Sequence, residues 1–374
     1  MTLNNREQIE QREKVTLAGY AVQAAGSRGR VYPEMEHPLR TCFQRDRDRI
    51  VHAAAFRRME YKTQVFLPHE GDHFRTRLTH TVEVAQIART LARCLGLNED
   101  LAESIALAHD LGHTPFGHAG EDVLDELLHH IGGFNHNRQS LRVIELLEQR
   151  YPGFPGLNLS YEVREGIAKH ETKTAVATEE FHPEEQTTLE AALVDLADEI
   201  AYNAADVDDG ISSGLLHFHD LMKLELVRVG DLPAGLPKLP DDMRRYALAR
   251  ALVNQMATDL MQESERRIEA HGIRTLDDVR AATVKLVGFS EYMEGLVLQL
   301  KDHLFTNLYR HVQLIEIGER AGRIIRTLFE RFIQAPKLMP SRFYDMVKYE
   351  RIEIVVTDYI AGMTDRYAEK RAGE

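Results

Sequence analysis

Residues Thr79–Leu95 read THTVEVAQIARTLARCL, with Val84, Ala88, Leu91 and Leu95 recurring at three- and four-residue steps. That period marks one face of an α-helix, and Gly96 supplies a stop. Working outward, Asn98 followed by Glu99 and Asp100 predicts a second helix running to about His109. An Asn side chain can cap free amides, and acids suit the positive end of the helix. The same period predicts helices over Glu121–His130, Arg138–Tyr151, Thr188–Val207, Asp241–His271 and Leu314–Ile333, with Thr187 and Glu190 spaced as a capping box. Strand-like alternation is scarce. The best exception is Ile352–Thr357 (IEIVVT), which equally fits a buried helix. Breaks fall at Tyr151–Ser160 and at Val229–Pro240, the latter with Pro233, Pro237 and Pro240. No internal repeat or low-complexity tract is found, and the expected fold class is all-α.

With 374 residues, 43% of them hydrophobic and 28% charged, the chain can bury one large core or two packed lobes and is not of disordered composition. Its apolar runs are short and broken by charge, and MTLNNREQIEQREK lacks the apolar centre of a signal peptide, so neither a membrane span nor secretion is expected. Cys42 and Cys94 alone make no disulfide framework, which suits a cytoplasmic location.

A net charge of −13 argues against a surface built to grip nucleic acid along its length. Basic residues nevertheless gather at Arg28, Arg30, Arg40, Arg45, Arg47, Arg49, Arg57, Arg58, Lys62, Arg75 and Arg77. Such a local excess fits a confined anion such as a polyphosphate. The plainer reading, which composition alone favours, is a set of ion pairs, since Asp46 and Asp48 alternate with Arg45, Arg47 and Arg49.

The stretch richest in chemistry is His109–Glu121, HDLGHTPFGHAGE, with three histidines and two acids among helix-breaking Gly112, Pro115, Gly117 and Gly120. Imidazole with carboxylate suits a divalent metal: Zn, Mn, Fe, Ni or, less well, Mg. Adjacent His109 and Asp110 diverge by about 100° on a helix, so both reach one ion only beyond the helix end, and further ligands must come from elsewhere. One candidate is His80, near the start of the first helix with Arg77 three residues earlier. A lone helical histidine is more often a plain core or surface residue.

The other candidate lies in LEAALVDLADEIAYNAADVDDG. Asp198 projects into an apolar stripe of Ala191, Val194, Ala201 and Ala205, whereas Asp195, Glu199, Asn203 and Asp206 share a polar face. A carboxylate on an apolar face needs a compensating cation, which favours Asp198 over Asp195 as a ligand; the alternative is a buried Asp paired with arginine. Tyr202 and Asp206 follow Asp198 at four-residue steps and can line the same site.

His80, His109–Asp110 and Asp198, in that order on helices, resemble the HD superfamily of metal-dependent phosphohydrolases. The blocks RIVHAAAFRRMEYKTQVF (Arg49–Phe66), RTRLTHT (Arg75–Thr81), HDLGHTPFGHAGE and ADEIAYNAADVDDG (Ala197–Gly210) are similar to the dGTPase-like deoxynucleoside triphosphate triphosphohydrolases. The resemblance covers roughly Ser27–Gly210 and continues weakly through KDHLFTNLYRH (Lys301–His311). It implies an HD core over 51–215, an N-terminal basic arm over 1–50 and a C-terminal helical region over 216–374 packed on the core. It implies one divalent ion per site held by His80, His109, Asp110 and Asp198, a phosphate contact from Arg77, and His118 with Glu121 in catalysis. Tyr202 and Asp206 would meet the sugar 3′-hydroxyl, and His113, His136, Lys169 and His170 would line the site. Some relatives place a lysine directly after the aspartate ligand. Here Glu199 stands there, leaving that phosphate contact to Lys169, Lys301 or Arg310.

The implied reaction is hydrolysis of a dNTP at the α-phosphorus to deoxynucleoside and tripolyphosphate. His118, oriented by Glu121, would protonate the leaving 5′-oxygen; the plainer alternative is that His118 caps the helix after Gly117. The resemblance also implies a homo-oligomer, a hexamer or dimer-based assembly, with an effector dNTP at a subunit interface, for which the arginines of Arg28–Arg49 are the candidate contacts. Competing readings are another HD phosphohydrolase acting on nucleoside monophosphates or signalling nucleotides, a nucleotide sensor with little turnover, and a secondary single-stranded nucleic acid site on the basic region.

Overall fold

In the computed structural model, residues 4–66, 74–170, 179–230, 232–233 and 235–374 are described. Among them the regular structure is helical, with isolated bridges and no extended strand. The helices that frame the site are, in chain order, α1 (Cys42–Val51), α2 (Arg77–Cys94), α3 (Glu99–Ala108), α4 (Gly117–Leu128), α5 (His136–Arg142), α6 (Tyr161–Ala168) and α7 (Leu189–Ser212). They continue with α8 (Asp241–Ala270), α9 (Glu291–Leu304), α10 (Val312–Gln334), α11 (Ile352–Ala361) and α12 (Asp365–Gly373). No helix is long and apolar enough to cross a membrane among the described residues.

The core forms where α2 packs on α3 and α7, with α1 behind α3 and α8 behind α7. The periodic residues Val84, Ala88 and Leu91 are fully buried, as are Leu101 and Ile105 of α3 and Leu193 and Ile200 of α7. Each fully buried aliphatic side chain contributes roughly 1.5–3 kcal/mol by leaving water, so this seam fixes the three helices that carry most of the chemistry. The caps follow sequence chemistry: Thr76 accepts from the Thr79 amide and Asn98 from the Leu101 amide. α10 closes the opposite side, against α4, α11 and α12.

Several expectations change. The helix expected over Arg138–Tyr151 stops early: α5 widens into one π turn at Val143–Leu147 and Glu148 is extended. Glu148 has a competing use, accepting the amides of Ala54 and Ala55 at 3.1 and 2.8 Å. The cap of α7 is Thr188, not Thr187, and Glu190 is not part of a capping box. Its Oε1 instead takes the amides of Val22 and Asn98, at 2.9 and 3.1 Å. IEIVVT is the start of α11, and burial of Val355, Val356, Tyr359 and Ile360 explains why no helical stripe showed. Asn203 and Asp206, assigned to a polar face of α7, are buried. Of the break at Val229–Pro240, residues 231 and 234 lie outside the described residues.

The arginines of the N-terminal region are committed within the chain. Arg30 pairs with Asp46, Arg40 with Asp48, Arg45 with Glu34, Arg47 with Asp100 and Glu103, Arg49 with Glu34 and Arg28 with Glu185.

Candidate active site

α3 ends at Ala108 and the backbone tightens into a 3₁₀ turn, His109–Gly112, that carries His109 and Asp110 off the helix end. A Cβ on Gly112 would meet the Ser140 nitrogen at 2.2 Å and the His136 carbonyl at 2.4 Å, so only glycine lets α5 lie this close. Ser140 clasps the turn, its hydroxyl donating to the His109 carbonyl at 2.6 Å and accepting the Gly112 amide at 2.8 Å.

His80, from α2, sits with Nε2 2.8 Å from Asp198 Oδ1, and the same oxygen is 3.8 Å from His109 Nε2. His109 Nε2 is 3.3 Å from Asp110 Oδ1. All four side chains are largely enclosed, and the ligating atoms of His80, His109 and Asp110 fall within 4.8 Å of one another. Asp195 meets His170 Nδ1 at 2.5 Å, and the His170 ring lies 5.2 Å from that of His109.

Burial by itself would raise the pKa of Asp198, but the His80 hydrogen bond overrides it and holds the carboxyl well below its usual range. Asp110 is likewise held down against burial, by His109, Arg77 and His113. Burial lowers the pKa of His109, keeping it neutral as a lone-pair donor must be. Arg77 donates from Nη1 to Asp110 Oδ2 at 2.9 Å, while its buried Nε and Nη2 have no hydrogen-bond partner among the described residues.

A second group adjoins the first. His113 Nε2 is 3.0 Å from Asp110 Oδ1, and its ring stacks on His136 at 3.9 Å. Glu121 takes His136 Nδ1 at 2.9 Å and faces His118 Nδ1 at 3.4 Å. The Glu121 pKa is pulled far down: burial opposes ionisation, but the hydrogen bonds to His118 and His136 outweigh it. His118 is the second residue of α4, whose N-cap is Phe116, so it does not cap the helix. Its side chain is 73% exposed, at the mouth of the cavity.

That cavity is ≈ 670 Å³, within the roughly 300–1,000 Å³ of small-molecule sites. Arg77, His80, Asp110, His113, His118, His136, His170, Asp198, Tyr202 and Asp206 all line it. Lys169, Lys301 and Arg310 do not. The Lys169 ammonium is bound to Glu165 and to the His182 and Glu185 carbonyls, and the Arg310 guanidinium lies over Phe305 on the surface. Lys301 pairs with Glu199 at 2.6 Å beside the Tyr202 ring, so a lysine reaches the position after Asp198 from another helix.

Two polar residues stand out among the cavity residues that sequence reasoning missed. Tyr309, in a π turn after α9, donates its hydroxyl to Asp206, whose pKa burial raises to about 6. Gln64 also lines the cavity, with a buried Oε1 that no hydrogen bond meets. Neither has a sequence signature beyond its place in the quoted blocks.

The HD domain family matches residues 77–203, and the phosphohydrolase-associated domain matches residues 287–374. A deoxyguanosinetriphosphate triphosphohydrolase-like protein of Geobacter sulfurreducens is 49% identical over 95% of this chain and 94% of its own. One from Azoarcus sp. is 50% identical over 96% of each. A solved structure of a hypothetical protein from Aquifex aeolicus aligns over 74% of this chain and 70% of its own, at 18% identity and a TM-score of 0.32, too loosely to carry an argument. The chain is an HD-type hydrolase and belongs to the family of deoxyguanosinetriphosphate triphosphohydrolase-like proteins.

Proposed function

We propose that the protein hydrolyses deoxynucleoside triphosphates at the α-phosphorus, releasing deoxynucleoside and tripolyphosphate. The observation that carries the reading is one cavity with three chemical zones: the His80–His109–Asp110–Asp198 cluster, the Arg77 and His113–His118–Glu121–His136 cluster, and an enclosed Tyr202–Asp206–Tyr309 wall.

A divalent ion fits the first zone. His109 engages Nδ1 with the Ala106 carbonyl and leaves a buried Nε2 without a hydrogen bond, facing two carboxylates. His80, His109, Asp110 and Asp198 would hold it, and when bound it supplies charge neutralisation at the phosphate oxygens. The donor set suits Mn, Fe, Ni, Zn or Mg.

The chain's own residues do the rest. Arg77 has two free nitrogens for phosphate oxygens, where developing charge is stabilised by fixed donors. His118 donates a proton to the leaving 5′-oxygen from the mouth of the cavity, and Glu121, anchored by His136, orients its ring. Asp206, fixed by Tyr309, meets the 3′-hydroxyl, and Tyr202 with Tyr309 lines the sugar side of the cavity, where a wall built around that hydroxyl disfavours a 2′-hydroxyl. The arginines of Arg28–Arg49 each have a carboxylate partner within the chain, and the proposal is confined to this cavity.

The test is to incubate metal-loaded protein with each dNTP, singly and mixed, and separate the products. Tripolyphosphate with deoxynucleoside is expected. Orthophosphate or pyrophosphate as first product, or no turnover on any dNTP, would overturn the reading.

A further inference from the structure

The turn that presents His113 and His118 is held from outside the cavity. Phe116 is left-handed at φ 64°, an uncommon conformation for a bulky side chain, and Gly117 follows at φ 58°. His118 is the next residue, so the Phe116 backbone sets where its ring stands. The Phe116 N–H donates to Asp365 Oδ1 at 2.9 Å. The other Asp365 oxygen accepts the Thr63 N–H at 2.9 Å and the Thr63 hydroxyl. Beside it, Lys62 donates from Nζ to the His113 carbonyl at 2.6 Å and the Ala361 carbonyl at 2.9 Å. The Lys62 carbonyl in turn accepts the Arg77 amide at 3.1 Å. Lys62, Thr63, His113, Phe116 and Asp365 are all buried. One dry node thus ties both ends of the His113–Phe116 turn to α12 and to the first residue of α2.

We infer that Asp365, with Lys62 as its counterpart at His113, is a positioning residue that keeps the Phe116–Gly117 backbone left-handed and so aims His118 at the leaving oxygen. The inference rests on the reading of His118 as the proton donor. A carboxylate accepting a buried amide is a charge-assisted bond, and a buried amide needs a partner. Without it the Phe116 N–H is unpaired, and the right-handed conformation that a phenylalanine ordinarily prefers swings His118 away. Asp365 does not line the cavity; it reaches the site through the Phe116 amide and through Thr63, and only the former bears on His118.

The experiment compares full-length wild type, Asp365→Asn and Asp365→Ala by hydrogen exchange, bound metal and dNTP kinetics. Exchange should rise in residues 113–118 and not in α7, and bound metal should be unchanged. In the alanine variant kcat should fall about 10–100-fold, with KM within about threefold. Asparagine keeps one acceptor oxygen and should be intermediate. An unchanged kcat in folded Asp365→Ala, or exchange and metal loss spread through the core, overturns the inference. If the alanine variant does not fold, Asp365→Asn is judged by the same criteria. In a wild type inactive on every dNTP, a rise confined to 113–118 supports the node and its absence overturns it, so the two readings fail separately.

Discussion

His109 Nδ1 lies 2.6 Å from the Ala106 carbonyl oxygen, a contact made on its own helix, inside the core. A carbonyl only accepts, so Nδ1 carries the proton and Nε2 carries the lone pair. The tautomer is thereby set by the backbone, before any ligand arrives.

The first prediction follows from that lone pair. Replacing His109 or Asp110 with alanine should remove both bound metal and hydrolysis, measured by elemental analysis and product assay on the same preparation. Stoichiometric metal with full activity in Asp110→Ala would sink the assignment.

His118→Ala should keep metal and nucleotide affinity while slowing turnover by roughly 10²–10⁴-fold, the scale of lost general-acid assistance. Single-turnover rates read this directly. A collapse of affinity at unchanged saturating rate would make His118 a binding residue.

Tyr309→Phe removes the donor to Asp206, leaving a buried carboxyl short of a partner at a cost of roughly 1–3 kcal/mol. Discrimination between dNTP and NTP, taken as the ratio of kcat/KM, should fall by about tenfold or more on that scale. An unchanged ratio would remove Tyr309 from sugar selection.

Glu190 links stability to pH. Burial raises its pKa from an ordinary 4.5 to about 7, against the lowering by the Asn98 and Val22 amides. The folded state therefore holds this proton more tightly than the unfolded one. Its contribution is fully present below pH 4.5 and is lost as pH climbs through about 7. On that account Glu190→Gln, which keeps an acceptor for both amides, should flatten the fall in unfolding free energy between pH 5 and 8 by on the order of 1–3 kcal/mol. Parallel denaturation curves for the two proteins across that range would contradict it.

Arg49→Ala should act on the fold and not on the chemistry. Its guanidinium donates to the Leu157 and Asn158 carbonyls and pairs with Glu34, so truncation should cost roughly 2–4 kcal/mol. Activity per folded molecule should stay unchanged; stimulation by a second dNTP that Arg49→Ala abolishes would restore a ligand role for this region.

What the sequence made readable depends on the kind of constraint. The helices of the core announced themselves through period, because Val84, Ala88 and Leu91 face one buried seam. Asp198 stood out because a carboxylate among alanines and valine needs a reason. Lys62 did not stand out: it looked like one more cation in a basic run, yet its ammonium is sealed against two carbonyls, and burial pushes its pKa down to about 7. Helix period also could not foretell where Glu148 would prefer the amides of Ala54 and Ala55 to its own helix. Asp365 and Phe116 are 249 positions apart, and nothing local to either names the other.

The cavity draws on both matched segments, with Gln64 and Asp206 lying outside either. His80, Asp110 and Asp198 belong to residues 77–203, whereas Tyr309, Leu314 and Ile317 belong to residues 287–374. Part of what shapes the cavity is thus written in a different stretch of the gene from its histidine–aspartate cluster. A chimera that exchanges only the second stretch between relatives would retune the guest while leaving the reaction in place, and selection has the same freedom.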